Sequence, residues 1–214
     1  MSTTLTWLGH SCWQVQTAGH KLLIDPFLDA SPVAPVKAGD VEADFILVTH
    51  GHEDHVADVE AIAKRTGALL IGVYEICQWF QKRGVTNTLG MNLGGSTKQP
   101  FGRLKLTLAH HSSTMPDGSP GGNPAGLLLW LEGATVYFAG DTALFSDMER
   151  IGQAGLDLAV LPIGDLFTMG PEDSIEAIKL LKPKRVLPTH YNTWPPIAQD
   201  AQAWAEAVRR ETSA

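Results

Sequence analysis

Three histidines and two acids fall within six positions of the stretch LVTHGHEDHVAD (47–58): His50, His52, Glu53, Asp54 and His55. Neutral imidazole is the commonest metal ligand in proteins, and carboxylates complete hard or borderline sites. His50 and His52 are two residues apart at the end of an apolar run. In extended chain such side chains point the same way, so both can grip one ion. Asp54 and His55 fall where a helix begins. The backbone turns there, so this second pair can face a second ion, about 3.5–4 Å from the first in two-metal hydrolytic sites. The plain alternative is that Asp54 only caps the helix and the histidines decorate a loop.

Further residues of the same kind recur along the chain. His10, His50, His52, His110, His111, His190 and Asp141 all stand at or just past the end of an expected strand. Loops at strand ends are where an α/β scaffold presents chemistry. The whole series, rather than any one histidine, argues for a metal centre.

The elements that must position these residues are legible in outline. TLTWLGH, CWQVQTA and KLLIDP read as strands, with a turn at Gly19-His20 between the last two. Residues 25–40, rich in Pro, read as a long surface loop. ADFILVTH and ALLIGV read as strands buried on both faces. Between them, DHVADVEAIAKRTG reads as one helix with Val56, Val59, Ile62 and Ala63 on one face and Gly67 as its stop. YEICQWFQKRG is a second helix ending at Gly84. The pattern restarts with GRLKLTLAHHS as a strand and a Gly/Pro-rich loop over 116–126. A hairpin follows, turning at Glu132-Gly133 and ending at Gly140-Asp141. LDLAVLPIGD and KRVLPTHYN are strands around the helix GPEDSIEAIKLLKP, and DAQAWAEAVRRE is a terminal helix. LTWLGHS (5–11) echoes LTLAHHS (106–112), and ADFILVTHGH (43–52) echoes LDLAVLPIGD (156–165). Two sheets packed face to face with helices outside fit this pattern.

Composition sets the bounds. The chain has 214 residues, 44% hydrophobic and 18% charged, enough for a sizeable core. A net charge of −7 argues against a nucleic-acid binder with a basic face. Two cysteines, Cys12 and Cys77, do not make a disulfide framework, and the N-terminus lacks a secretory pattern, so a cytoplasmic protein is expected. No stretch approaches the roughly 18 apolar residues of a membrane span. GGNPAG precedes a strand and lacks a Lys, so it is not a phosphate loop.

THGHEDH resembles the signature of the metallo-β-lactamase superfamily, and AHHSS, FAGDT and PTHYN resemble its later ligand motifs, in order. GHS, DPF, LPIGDLFTMGPED and HYNTWP are similar to a group of metal-dependent hydrolases related to ascorbate-phosphate lactonase. The resemblance implies an α/β (α+β), four-layer αββα sandwich. It would form one domain over 1–214, built from two similar halves, about 1–100 and 101–214. It implies that His50, His52 and one histidine of the 110–111 pair hold one ion, that Asp54, His55 and His190 hold another, and that Asp141 bridges them. His111 is chosen because it precedes the Ser-Ser of that motif; His110 then faces away, since neighbours in a strand alternate. Two divalent ions are expected, Zn²⁺ first, with Mn²⁺, Ni²⁺ or Fe²⁺ as alternatives, and no organic cofactor.

The implied function is a hydrolase that cleaves an ester, lactone or phosphodiester bond of a small substrate with a metal-bound hydroxide, oriented by Asp54. A dimetal ribonuclease and a non-catalytic metal-binding protein on the same fold are the alternatives. No membrane partner is expected, and a homo-oligomer is left open. His10 is expected to act in catalysis, as a substrate contact or behind a ligand; Asn192 and Trp194 are further substrate candidates. Asp25 is expected to orient a ligand histidine. Asp165, Thr168 and Met169 are rim candidates, though a helix start explains them. Ser112 lacks the strand–turn–helix setting of a nucleophile.

Overall fold

A computed structural model describes residues 3–214. Met1 and Ser2, where the reading of the N-terminus for targeting begins, lie outside the described residues. Twelve strands form two six-stranded sheets. The first runs in spatial order β1 (Thr4–Trp7), β2 (Trp13–Thr17), β3 (His20–Ile24), β4 (Phe45–Leu47), β5 (Leu69–Val73) and β6 (Thr88–Met91). Its first three strands are antiparallel and the rest are added parallel. The crossovers carry α1 (Glu53–Val56), α2 (Val59–Thr66) and α3 (Tyr74–Lys82).

The second sheet comprises β7 (Ser96–Gln99), β8 (Gly102–Leu108), β9 (Ala125–Leu131), β10 (Ala134–Phe138), β11 (Leu158–Pro162) and β12 (Val186–Thr189), again neighbours in chain order. β7 to β10 are antiparallel, and β11 and β12 join parallel. α4 (Met148–Gly152), α5 (Pro171–Leu181) and α6 (Ala201–Glu211) complete the chain. Numbered from the parallel steps β3/β4 and β10/β11, β1 corresponds to β8 and β4 to β11. These are the strands that carry the paired stretches of sequence.

Pleating explains why the central strands read as unbroken apolar runs. On β10, Val136 and Phe138 join the core between the sheets, while Tyr137 faces the other way into a second cluster. On β11, Val160 points inward and Ala159 and Leu161 outward. The outward cluster takes Met148 and Ile151 of α4, Ile175 and Ile178 of α5, and Trp204 and Val208 of α6. Side chains of successive residues serve two layers, so no polar position is left between them. Helix–sheet–sheet–helix is thus the observed architecture. Among the described residues no helix is long and apolar enough to cross a membrane.

Several local expectations are corrected. The helix expected over 54–67 is two: Asp58 (φ −104, ψ 0) breaks it before Val59. The Asp58 carboxylate instead accepts the backbone N–H groups of Leu28 (2.6 Å) and Asp29, pinning the 25–40 loop. Phe27 and Leu28 of that loop are buried, not on the surface. The first hairpin turns at Ala18-Gly19, both left-handed, one residue earlier than expected. β6, β7 and α4 carry too little apolar alternation to be read from the sequence.

Candidate metal centre

The residues singled out by type and spacing meet at one end of the two sheets. His50 and His52 follow β4, Asp54 and His55 lie on α1, His111 follows β8, Asp141 follows β10 and His190 follows β12. Two glycines let these loops close on one another. Gly140 has φ +63, and a Cβ there would come within 3.1 Å of Thr49; its freedom places Asp141 beside the His50 strand. Gly164 runs so close to the carbonyl of His190 that a Cβ would overlap it. His190 itself is left-handed (φ 53), and the surrounding contacts hold it there.

Two groups of donor atoms result. In the first, His50 Nε2 lies 3.0 Å from His52 Nδ1, which lies 3.3 Å from His111 Nε2. In the second, Asp54 Oδ2 lies 3.7 Å from both His55 Nε2 and His190 Nε2. Asp141 Oδ2 stands between them. It is 3.8 and 3.6 Å from the Nε2 atoms of His50 and His111, and 3.4 and 3.0 Å from those of His55 and His190. All seven expected residues are therefore brought together.

Asp54 is in the first turn of α1, whose N-cap is His52 with no side-chain cap bond, so it does not serve as the cap. His110 faces outward and stacks on Phe145 with centroids 4.9 Å apart; both it and His111 lie past the end of β8 at Leu108, so their opposite directions are set by the loop and not by strand alternation. His10 is fully buried. Its Nε2 lies 2.9 Å from Asp54 Oδ2 and its Nδ1 2.7 Å from Thr193 Oγ1. Asn192 uses its side-chain oxygen to accept the N–H of Gln199, closing the 192–199 loop. Trp194 is partly exposed, its ring 5.1 Å from His10 and 5.9 Å from Phe27. The Asp165 N–H donates to the Met169 carbonyl, the Met169 N–H to the Thr142 carbonyl, and the Thr168 hydroxyl to the Met169 carbonyl.

A layer of supporting residues fixes the histidines. Asp25 accepts the Thr49 N–H, the Thr49 hydroxyl and His55 Nδ1–H. The Thr49 oxygen lies 3.1 Å from His50 Nδ1. Ser112 Oγ is 3.3 Å from His52 Nε2, and Ser113 Oγ accepts the Gly51 N–H. Thr49, Ser113 and Thr193 carried no signal in the sequence; only Thr49's place beside His50 hinted at it.

Electrostatics divide the two groups. Burial holds His50, His52 and His111 below the usual histidine range. Burial also opposes charge on His55 and His190, but Asp141 and Asp54 outweigh it, raising His190 to about 9 and His55 well above its ordinary value. Burial disfavours the Asp141 carboxylate, yet His190 and His55 hold it well below its usual range. His10 is lowered to about 4 by burial, against the bond to Asp54.

The donor set fits divalent metal. His55 Nε2 is buried with no hydrogen-bond partner among the described residues, while its Nδ1–H is taken by Asp25; Nε2 is thus the nitrogen turned into the cluster, able to bind an ion once its proton is displaced. Ligands about 2.0–2.1 Å from a tetrahedral zinc stand roughly 3.3 Å apart. The separations of 3.0–3.8 Å around Asp141 bracket that value.

Residues 20–191 match the family model of the β-lactamase superfamily domain. A UPF0173 metal-dependent hydrolase from Thermus thermophilus is 49% identical over 205 residues, 96% of this chain and 91% of the relative. One from Bacillus subtilis is 47% identical over 210 residues, covering 95% and 92%. The structure of Igni18, a metallo hydrolase from Ignicoccus hospitalis, superposes with a TM-score of 0.88 at 36% identity, covering 97% of this chain and 91% of that one.

Proposed function

We propose, for a chain that belongs to the β-lactamase superfamily and within it to the UPF0173 metal-dependent hydrolases, that it cleaves an ester, lactone or phosphodiester bond of a small substrate at a dinuclear centre. The observation that carries this reading is the place of Asp141 Oδ2, within 3.8 Å of four imidazole nitrogens from two groups. A carboxylate so placed can serve two cations at once.

His50, His52 and His111 would hold one ion, and Asp54, His55 and His190 the other, with Asp141 shared. Imidazole and carboxylate donors at tetrahedral spacing favour Zn²⁺, with Mn²⁺, Ni²⁺ and Fe²⁺ as competitors. Ions held there supply Lewis acidity and lower the pKa of water from 15.7 towards about 7. Asp54 has a second carboxylate oxygen to orient the attacking water. Trp194 offers an apolar wall to the substrate beside it, and Asn192 a donor at the rim.

The acidic chain supports a small substrate over RNA. Two free, buried cysteines support a cytoplasmic setting, and one domain of two similar halves is the simplest account of the matching strand orders. Elemental analysis of protein purified without chelator, followed by a screen against lactones, phosphodiesters, thioesters and short RNA, tests the reading. Two ions per chain with turnover of a small ester or lactone is the expected result. No uptake of Zn²⁺ or Mn²⁺ on reconstitution would end it, and bound metal without turnover would favour the non-catalytic alternative.

A further inference from the structure

We propose that Thr193 and His10 form a positioning pair that aims Asp54, and that His10 is not itself a metal ligand. The proposal rests on the dinuclear reading above. His10 is open to two roles, because its donor atom groups with those of Asp54, His55 and His190 within 4.8 Å and could complete a four-ligand set. Three observations together favour the positioning role.

The first is distance. Asp54 Oδ2 stands 3.7 Å from His55 and His190, a separation suited to two ligands of one ion. It stands 2.9 Å from His10 Nε2, a hydrogen-bond distance shorter than either, so the pair can bond directly without an ion between them.

The second is the tautomer. A carboxylate oxygen only accepts, so His10 Nε2 must carry the hydrogen. A neutral ring then has a lone pair at Nδ1, 2.7 Å from the Thr193 hydroxyl, which must be the donor. Thr193 thus fixes His10 in the form that donates to Asp54 and has no lone pair to offer an ion.

The third is rigidity. His10 is left-handed (φ 49), and its carbonyl accepts three bonds: from Trp7 Nε1 at 2.9 Å, Thr189 Oγ1 at 2.8 Å and the His190 N–H at 3.2 Å. The ring is fully buried. The last strand and its loop therefore supply both a ligand, His190, and the clamp that holds His10 against Asp54. The sequence separates these groups by about 180 residues, and the fold closes them into one unit.

Four variants test the pair: His10→Phe, His10→Gln, Thr193→Val and Thr193→Ser. The amide nitrogen of Gln reproduces a donor near Nε2, and Ser keeps the hydroxyl. Residues behind a metal ligand typically contribute 10–100-fold to metal affinity or activity. His10→Phe is expected to weaken the second Zn²⁺ by about 100-fold, and Thr193→Val by about tenfold, with kcat falling and KM little changed. His10→Gln and Thr193→Ser should recover most of each loss. Nitrogen NMR of wild-type protein should show His10 protonated at Nε2 and bare at Nδ1. If His10 is a ligand, Gln will be as damaging as Phe and Nε2 will carry no hydrogen; either result overturns the proposal. Wild-type affinity and kcat in Thr193→Val overturn it as well. A wild-type protein that takes up only one ion overturns the dinuclear reading instead, and the NMR spectrum then decides the tautomer by itself.

Discussion

Asp25 Oδ2 lies 2.9 Å from His55 Nδ1 and also accepts the Thr49 hydroxyl at 2.6 Å. One buried carboxylate therefore acts on both donor groups. It takes the Nδ1–H of His55 directly, so that Nε2 is the nitrogen that faces Asp54 and Asp141 and binds an ion once its proton is displaced. Because the Thr49 hydroxyl spends its hydrogen on Asp25, its oxygen is left to accept from His50 Nδ1, 3.1 Å away. His50 Nε2 is then bare and faces His52 and His111. A single side chain sets the tautomers of two histidines that belong to different groups.

Asp25→Asn should accordingly weaken both ions, by about 10–100-fold each. An amide can donate as well as accept, and a rotamer that points its NH₂ at His55 disfavours the required tautomer. Zinc titration with a chelating competitor reads this out. Loss confined to one ion would mean that the Thr49 link transmits nothing.

Asp54→Asn is expected to abolish turnover and leave the fold intact. The side chain is 24% exposed and caps no helix, so little packing is lost. Its charge, however, faces His10, His55 and His190. Circular dichroism unchanged beside a rate reduced by at least about 100-fold is the expected pair of results. Wild-type turnover would remove Asp54 from the chemistry.

The site was far more legible in the sequence than its supports were. His50, His52, Asp54 and His55 lie within six residues, and periodicity alone says that 50 and 52 share a direction. His111, Asp141 and His190 each follow a strong strand pattern, but only resemblance to a family links them. Thr193 meets His10 across 183 positions, and no local rule connects them. The same division holds for the fold. β9 and β10 are long apolar runs bounded by a Gly turn. β6, with burial that never alternates cleanly, and β7, with the polar sequence STKQ, are strands because a neighbour pairs with them. The split between α1 and α2 depends on Asp58 reaching a loop 30 residues earlier, a tertiary demand that overrides a continuous helical pattern.

His111→Ala should cost metal affinity by about 100-fold or more, and His110→Ala very little. His111 Nε2 faces His52 and Asp141, whereas His110 lies on the outer surface against Phe145. Losing that stacked contact should lower stability by no more than about 0.5–1.5 kcal/mol. Thermal melts and zinc titrations on both variants separate the two effects. Equal losses of affinity would mean that both rings reach the metal.

The two groups should differ in how protons compete with metal. In the metal-free protein His50, His52 and His111 are held below the usual histidine range by burial, so at neutral pH they are already bare. Uptake of an ion there displaces no proton, and its affinity should be flat around pH 7 and fall only in acid. His190 is raised to about 9 and His55 well above its ordinary value, because Asp141 and Asp54 outweigh the cost of burying charge. These rings carry protons at neutral pH, and an ion at the second group must expel them. The sign follows: a raised pKa favours the protonated, metal-free form, so affinity for the second ion should rise with pH and level off only above about 9. Each proton displaced steepens the dependence by about tenfold per pH unit. Calorimetric titration with Zn²⁺ in buffers of different ionisation enthalpy counts the protons directly. Close to none for the first ion and one or two for the second is the expected pattern at neutral pH. Equal release from both steps would show that the charge on Asp141 is shared evenly across the two groups and does not stay with His55 and His190.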